Sequence, residues 1–343
     1  MLISFIQRAI MQSIPLLFGC TGEILTEKSG NLNLGIPGIM YVGGISGVIG
    51  AFLYEGSIPA DTALNPFLAI IIPLLASIAG SLLMGLIYSF LTITLRANQN
   101  VTGLALTTFG IGIGNFFGGS LIKLTNSELP SISLSRTSAV YSAALPFADD
   151  LGWFGKIFLS YSFLAYAAVI IALVASFILK RTRVGLNLRA VGESPATADA
   201  AGINVNRYKY VFTCAGSVIA GLGGLYYVMD YADGIWSNDA FGDRGWLAIA
   251  LVIFSLWRPK SSILGSIVFG GLLIIHNYIN TFIVFVNNSL NISLPQIGVN
   301  TQEIIMMLPY IVTIIVLIVG SIKNRNEKQA PAALGQSYFR EDR

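Results

Sequence analysis

The chain has 343 residues, of which 54% are apolar and 11% charged, with a formal net charge of +3. Soluble domains carry roughly 25% charged residues, so this apolar excess excludes an ordinary globular protein, and the small net charge excludes a basic nucleic-acid-binding domain. The two cysteines, Cys20 and Cys214, both sit in or beside apolar runs, which gives no disulfide framework or thiolate metal site and leaves each as a packing residue.

Apolar runs near 3–22, 34–54, 67–92, 101–122, 157–179, 210–229, 241–257, 261–285 and 304–321 predict nine membrane spans, within a range of eight to ten, since about 20 apolar residues cross a bilayer core. The runs are continuous rather than alternating. That removes a barrel and predicts an all-α, polytopic integral membrane protein. In the first run, Leu17-Phe18-Gly19-Cys20 has the outline of a lipoprotein cleavage box, but Phe18 is bulky and no polar linker follows, so the segment is expected to be retained. The third run contains Pro73, which predicts tilt or a kink. The seventh has the short apolar core WLAIALVIFSLW, which reaches only about 18 Å.

Between the first two runs lie Glu23, Glu27 and Lys28, then Gly30-Asn31-Leu32-Asn33-Leu34-Gly35. Two readings stand: a broken helix lining a cavity, with Asn31 and Asn33 offered to a polar solute, or a simple loop joining two spans. In either case Glu27 and Lys28 are expected to form a modest surface pair. Further on, Asn98-Gln99-Asn100 with Thr102, Thr107 and Thr108 supplies amides and hydroxyls without charge, a lining suited to a sugar or nucleoside rather than an ion. Phe109, Phe116 and Phe117 are candidates for stacking on a base or for packing, and Asn115 is a further polar candidate. Gly110-x-Gly112-x-Gly114, the pair Gly216 and Gly221, and Gly270-Gly271 predict close helix contacts. His276, the one histidine, reads as a packing residue rather than a proton relay.

Lys180, Arg181, Arg183, Arg189, Arg207 and Lys209 crowd the 180–209 loop, Arg258 and Lys260 flank a short turn, and Lys323, Arg325 and Lys328 begin the tail. The positive-inside rule puts all three in the cytoplasm, the amino terminus outside, and 123–156, with Asp149-Asp150, as an external connection. Residues 1–322 then form the membrane domain and 323–343 a polar cytoplasmic tail, expected to be disordered. Within 180–209 the sequence predicts one short helix, with Ser194 as N-cap, Pro195 at the first position, helix formers at 196–201 and Gly202 at the exit.

The run GLNLRAVGESPATADAAGINVNRYKY resembles the cytoplasmic coupling segment of permease subunits of bacterial ABC importers, in the branch for simple sugars, branched-chain amino acids and nucleosides. GEILTEKSGNLNLGIPGIMYVGG, ANQNVTGLALTTFGIGI and GDRGWLAIALVIFSLWRPKSSILGSIVFGG resemble other segments of that family, and the combination is most similar to the shorter nucleoside-importer permease. Pro37, where the family more often has an acid, and Ser255-Leu256 before Trp257 are departures. The resemblance implies a non-enzymatic permease in the bacterial inner membrane. It implies a separate ATPase subunit that holds ATP and Mg, with no cofactor or metal in this chain, and no phosphate-binding loop is found here. A second permease in a heterodimer, an external solute-binding lipoprotein and a small solute complete the implied partners, with no nucleic acid. Gly192, Glu193, Ser194, Pro195, Ala200, Ala201 and Gly202 are the expected coupling residues, and Asn31, Asn33, Asn100, Thr107, Phe109 and Asn115 the expected path. The alternative is a simple-sugar importer permease of the ribose or galactose type; an ion-coupled secondary transporter is a further rival, and it expects intramembrane charge that the runs hardly contain.

Overall fold

The computed structural model describes residues 2–59, 61–124, 131–144, 152–290, 298, 304–305, 307–322 and 330–339. Every apolar run yields a helix: α1 (Leu2–Lys28), α2 (Ile36–Gly56), α3 (Pro66–Ser89), α4 (Gln99–Leu124), then the short α5 (Ser135–Tyr141) and α6 (Gly152–Phe158), α7 (Phe163–Arg181), α8 (Arg183–Glu193), α9 (Pro195–Ala200), α10 (Val205–Tyr226), α11 (Arg244–Phe254), α12 (Pro259–Leu290) and α13 (Leu308–Ile322). The chain is thus an all-α membrane protein, although the expected count of nine spans is not confirmed. Among the described residues six helices are long and apolar enough to cross, or seven if α12, bent by 72° after Ile275, is one span. α11 has 11 residues and covers only about 16 Å, because Asp243 and Gly242 cut the apolar run at its start.

α2 and α10 form the centre. Their apolar windows are 78% and 72% buried, against 28% for the one through α3. α1 packs on α10 and α12, and α2 on α3, α10 and α4. Glycine permits these approaches. A Cβ on Gly216 would stand 2.4 Å from the Gly22 carbonyl oxygen, and one on Gly110 would stand 2.6 Å from that of Gly38, so backbones meet where side chains would hold them apart. The glycine expectation holds at Gly110, Gly114, Gly216, Gly221 and Gly270; Gly112 faces open space and Gly271 has only ordinary contacts. α3 and α10 each end in a π-helical turn, Phe90–Thr94 and Tyr227–Tyr231. Pro73 is buried within α3. Pro37 sits comfortably in the first turn of α2, where no helical N–H partner is needed.

Part of the 123–156 connection is folded onto the bundle. β1 (Ser131–Ser133) pairs antiparallel with β2 (Ile235–Ser237), setting Ile132 opposite Trp236. Asp149-Asp150 lies outside the described residues, as does the side chain of His276. Cys20 is buried mid-helix in α1 and Cys214 is half-buried, both as free thiols.

The tail expected to be disordered is ordered over 330–339. Ala333 and Gly335 donate backbone hydrogen bonds to the carbonyls of Gly192 and Gly30, at 3.0 and 3.2 Å, and Tyr338 donates to Asp199 at 2.8 Å. Small residues and two aromatic rings let this polar stretch seat itself in a shallow groove, with Phe339 under the Arg96 guanidinium.

Candidate functional site

The stretch between α1 and α2 is neither an exposed loop nor an open cavity lining. Leu32 N–H donates to Gln99 Oε1 at 2.6 Å, and the Leu32 carbonyl accepts from Tyr88. Asn33 N–H donates to Glu23 Oε1 at 3.0 Å and Gly35 N–H to Asn33 Oδ1 at 2.9 Å. Thr107 donates to the Leu34 carbonyl at 2.7 Å. Asn31 Nδ2 reaches Thr213 Oγ1 at 2.9 Å. Backbone freed from helix geometry inside lipid must find such partners. Asn31 and Asn33 are therefore fully buried, and with Thr107 they hold the break. Glu27 is also buried and accepts from the Trp257 indole, so the expected exposed pair with Lys28 gives way to a link between α1 and the turn after α11.

Below the break hangs the 180–209 segment. Instead of one helix it forms two. α8 begins at Thr182, whose Oγ1 accepts from Gly185 N–H at 3.1 Å, and it buries Gly185, Leu188, Val191 and Gly192 on one face. This helix was not foreseen in a stretch dominated by basic charge, although the spacing of 185, 188 and 192 is helical. α9 follows after Ser194. Pro195 takes the first position as expected, but the Ser194 side chain makes no backbone cap; its hydroxyl meets Thr197 Oγ1 at 2.8 Å. Gly202 exits with φ +82°, a left-handed conformation that suits glycine.

α9 turns Ala198 inward onto Val191 and Val205, with Tyr338 against them. Its other side is open: Ala196, Thr197, Ala200, Ala201 and Gly202 are exposed, as are Glu193 and Ser194. Gly192 is different. It is buried, and a Cβ there would stand 2.4 Å from the Lys28 carbonyl, so it seats α8 beneath α1. Clefts of about 330 and 520 Å³ flank the turn at Gly202 and Asn204.

The remaining expected residues lie on α4. Asn100 and Phe109 are exposed and Asn115 is half-buried. Asn115 belongs to a cluster that sequence reasoning did not assemble. Tyr41 donates to Asn115 Oδ1, Asn115 Nδ2 donates to Asp239 Oδ1 at 2.9 Å, and Asp239 N–H donates back to Tyr41 at 2.9 Å. Trp236 meets Tyr41 edge-on at 5.1 Å, and Arg244 lies 4.4 Å over the Tyr227 ring. No local signal joins positions 41, 115 and 239; only the run of α2 alongside α4 and the β1–β2 pairing bring them together.

The family model described as branched-chain amino acid transport system / permease component matches residues 5–317. TsgC13 of Haloferax volcanii, provisionally named a glucose ABC transporter permease protein, is 30% identical over 97% of this chain and 96% of its own. The nucleoside ABC transporter permease protein NupC of Lactococcus lactis is 29% identical, and the guanosine ABC transporter permease protein NupQ of Bacillus subtilis 28%, each over 96% of this chain and 95% of theirs.

Proposed function

The chain belongs to the permease-component family of branched-chain amino acid transport systems, and from that premise we propose that it is the transmembrane permease of an ATP-driven nucleoside importer. The names of NupC and NupQ support the nucleoside; the name of TsgC13 supports a second reading, a sugar.

The observation that carries the coupling role is α9, a short helix anchored through Ala198 while its small-residue side stays open. A groove on a cytoplasmic ATPase can close around such a surface, and ATP and Mg belong to that partner. Gly192, through its contact under α1, passes displacement of α8 and α9 to the break. Glu193, Ser194, Pro195, Ala200, Ala201 and Gly202 form the contact surface. Alternating access follows when the partner favours one of two bundle arrangements.

The solute path runs along the side of α4 that carries Asn100 and Asn115, about 60° apart around the helix and separated by a rise of about 22 Å, with Phe109 at the opposite edge of the exposed surface. Asn31, Asn33 and Thr107 back this path by fixing the break. In this reading the 180–209 segment and the tail are cytoplasmic, the amino terminus is outside, a related permease completes a heterodimer, and an external binding protein delivers the solute.

Replacing Ser194-Pro195 with Gly-Gly in the assembled transporter is expected to abolish uptake of labelled inosine while ATP hydrolysis continues. Unchanged uptake would overturn the coupling role. Competition by unlabelled adenosine and not by ribose supports the nucleoside; full competition by ribose selects the sugar reading.

A further inference from the structure

Where α1 and α7 end, a cavity of about 350 Å³ opens against Lys28, Lys180, Arg189 and Arg258, with Glu193 as the one carboxylate in its lining. The four cations come from four elements: the last residue of α1, the end of α7, the middle of α8 and the turn before α12. Lys28 lies in the field of Arg189 and Arg258 as well as of Glu193 and Glu27. Holding like charges around one space is unfavourable unless an anion shares them.

The turn that carries Arg258 is built at a conformational cost. Leu256 and Trp257 adopt φ +54° and +53°, a left-handed region that disfavours side chains of that bulk. It is fixed by the Trp257 indole on Glu27 and by Trp257 N–H on the Val252 carbonyl at 3.2 Å. Strain sustained in this way accompanies functional positions more often than passive ones.

The cavity also has an apolar approach. On α7, Ile170, Leu173, Val174 and Phe177 are all exposed at the i, i+3, i+4, i+7 spacing of one helix side. The same side continues to Lys180 in the cavity lining. An apolar strip ending in a ring of cations, at the end of a membrane span, matches a molecule with acyl chains and a charged head.

We propose that this cavity binds the phosphate of an anionic membrane phospholipid, with its acyl chains lying along the α7 strip. Basic recesses between membrane helices take such headgroups. Because Glu193 and Arg189 belong to α8, the bound phosphate rests directly on the element that leads into α9. The proposal depends on the membrane location of the chain, not on its solute or its coupling role.

The test uses the full chain in nanodiscs with spin-labelled phosphatidylglycerol or phosphatidylcholine as probe. The wild type is expected to retain phosphatidylglycerol in preference, and Arg189→Gln with Arg258→Gln to bind it about fivefold more weakly for each cation removed. Arg207→Gln with Lys260→Gln, a charge-matched pair outside the cavity lining, should keep the wild-type preference. If the first pair fails to fold, the exposed Lys180→Gln carries the same test alone. Equal preference in wild type and cavity variants overturns the proposal. So does a rise in thermal midpoint with inorganic phosphate in all-phosphatidylcholine discs that equals the rise with phosphatidylglycerol, since the site would then take a soluble anion.

Discussion

Two stretches of the chain abandon helix geometry among the membrane helices, and they satisfy their backbones differently. At 32–34 the peptide groups are met one by one by buried side chains from α1, α3 and α4: Glu23, Tyr88, Gln99 and Thr107. At 232–237 the backbone is met by backbone, through β1–β2 pairing and the Leu134 N–H on the Gly234 carbonyl, while beyond it the Asp239 N–H meets the Tyr41 hydroxyl and the side chains form an aromatic and amide cluster. The first arrangement makes a closed joint whose position is fixed from three sides. The second frees Asn115, Asn238 and Asp239 to reach the surface. One stretch suits a pivot, the other a lining.

That contrast can be broken at either stretch. The largest effect is expected from Gly38→Val, just past the closed joint. A Cβ there would stand 2.5 Å from the Leu106 carbonyl oxygen and 2.7 Å from Thr107 Cα, and backbone cannot yield as a side chain can. Overpacking of this kind costs about 1–3 kcal/mol or more, which a detergent melt and the monodisperse yield report.

Next is Glu23→Ala, which strands the buried Asn33 N–H and should cost about 1–3 kcal/mol. Glu23→Gln keeps an acceptor and should recover most of it; an equal loss in both variants refutes the hydrogen-bonding account. The smallest effect is expected at the open stretch. Tyr41→Phe removes the hydroxyl between Asn115 and Asp239, lowering stability by about 1 kcal/mol while changing the KM for solute more than the melt. If KM is untouched, the cluster of Tyr41, Asn115 and Asp239 is packing and not path.

The positions of the membrane-length helices were legible because each is a long apolar run, and Pro195 and Gly202 marked the ends of α9. Three things were not. α8 was masked by its basic residues, since a reading by charge sees a loop where Leu188 and Val191 build a buried face. The burial of Asn31 and Asn33 depends on Thr213, Gln99 and Tyr88, which are distant in sequence and carry no local sign of the pairing. The three-residue strands are too short to show alternation. For the expected path, Asn115 was in view from the start, but Tyr41 and Asp239 were invisible until the fold brought them to it.

The docked tail sets an order of assembly. Residues 330–339 join Gly30 to Gly192 and brace Asp199, yet they leave the ribosome after every membrane helix described above. α8 and α9 are synthesised long before the segment that steadies them. A half-made chain thus presents an unbraced α9, and the braced α9 exists only once α13 has been made. The brace ties the final seating of α9 to completion of the membrane helices.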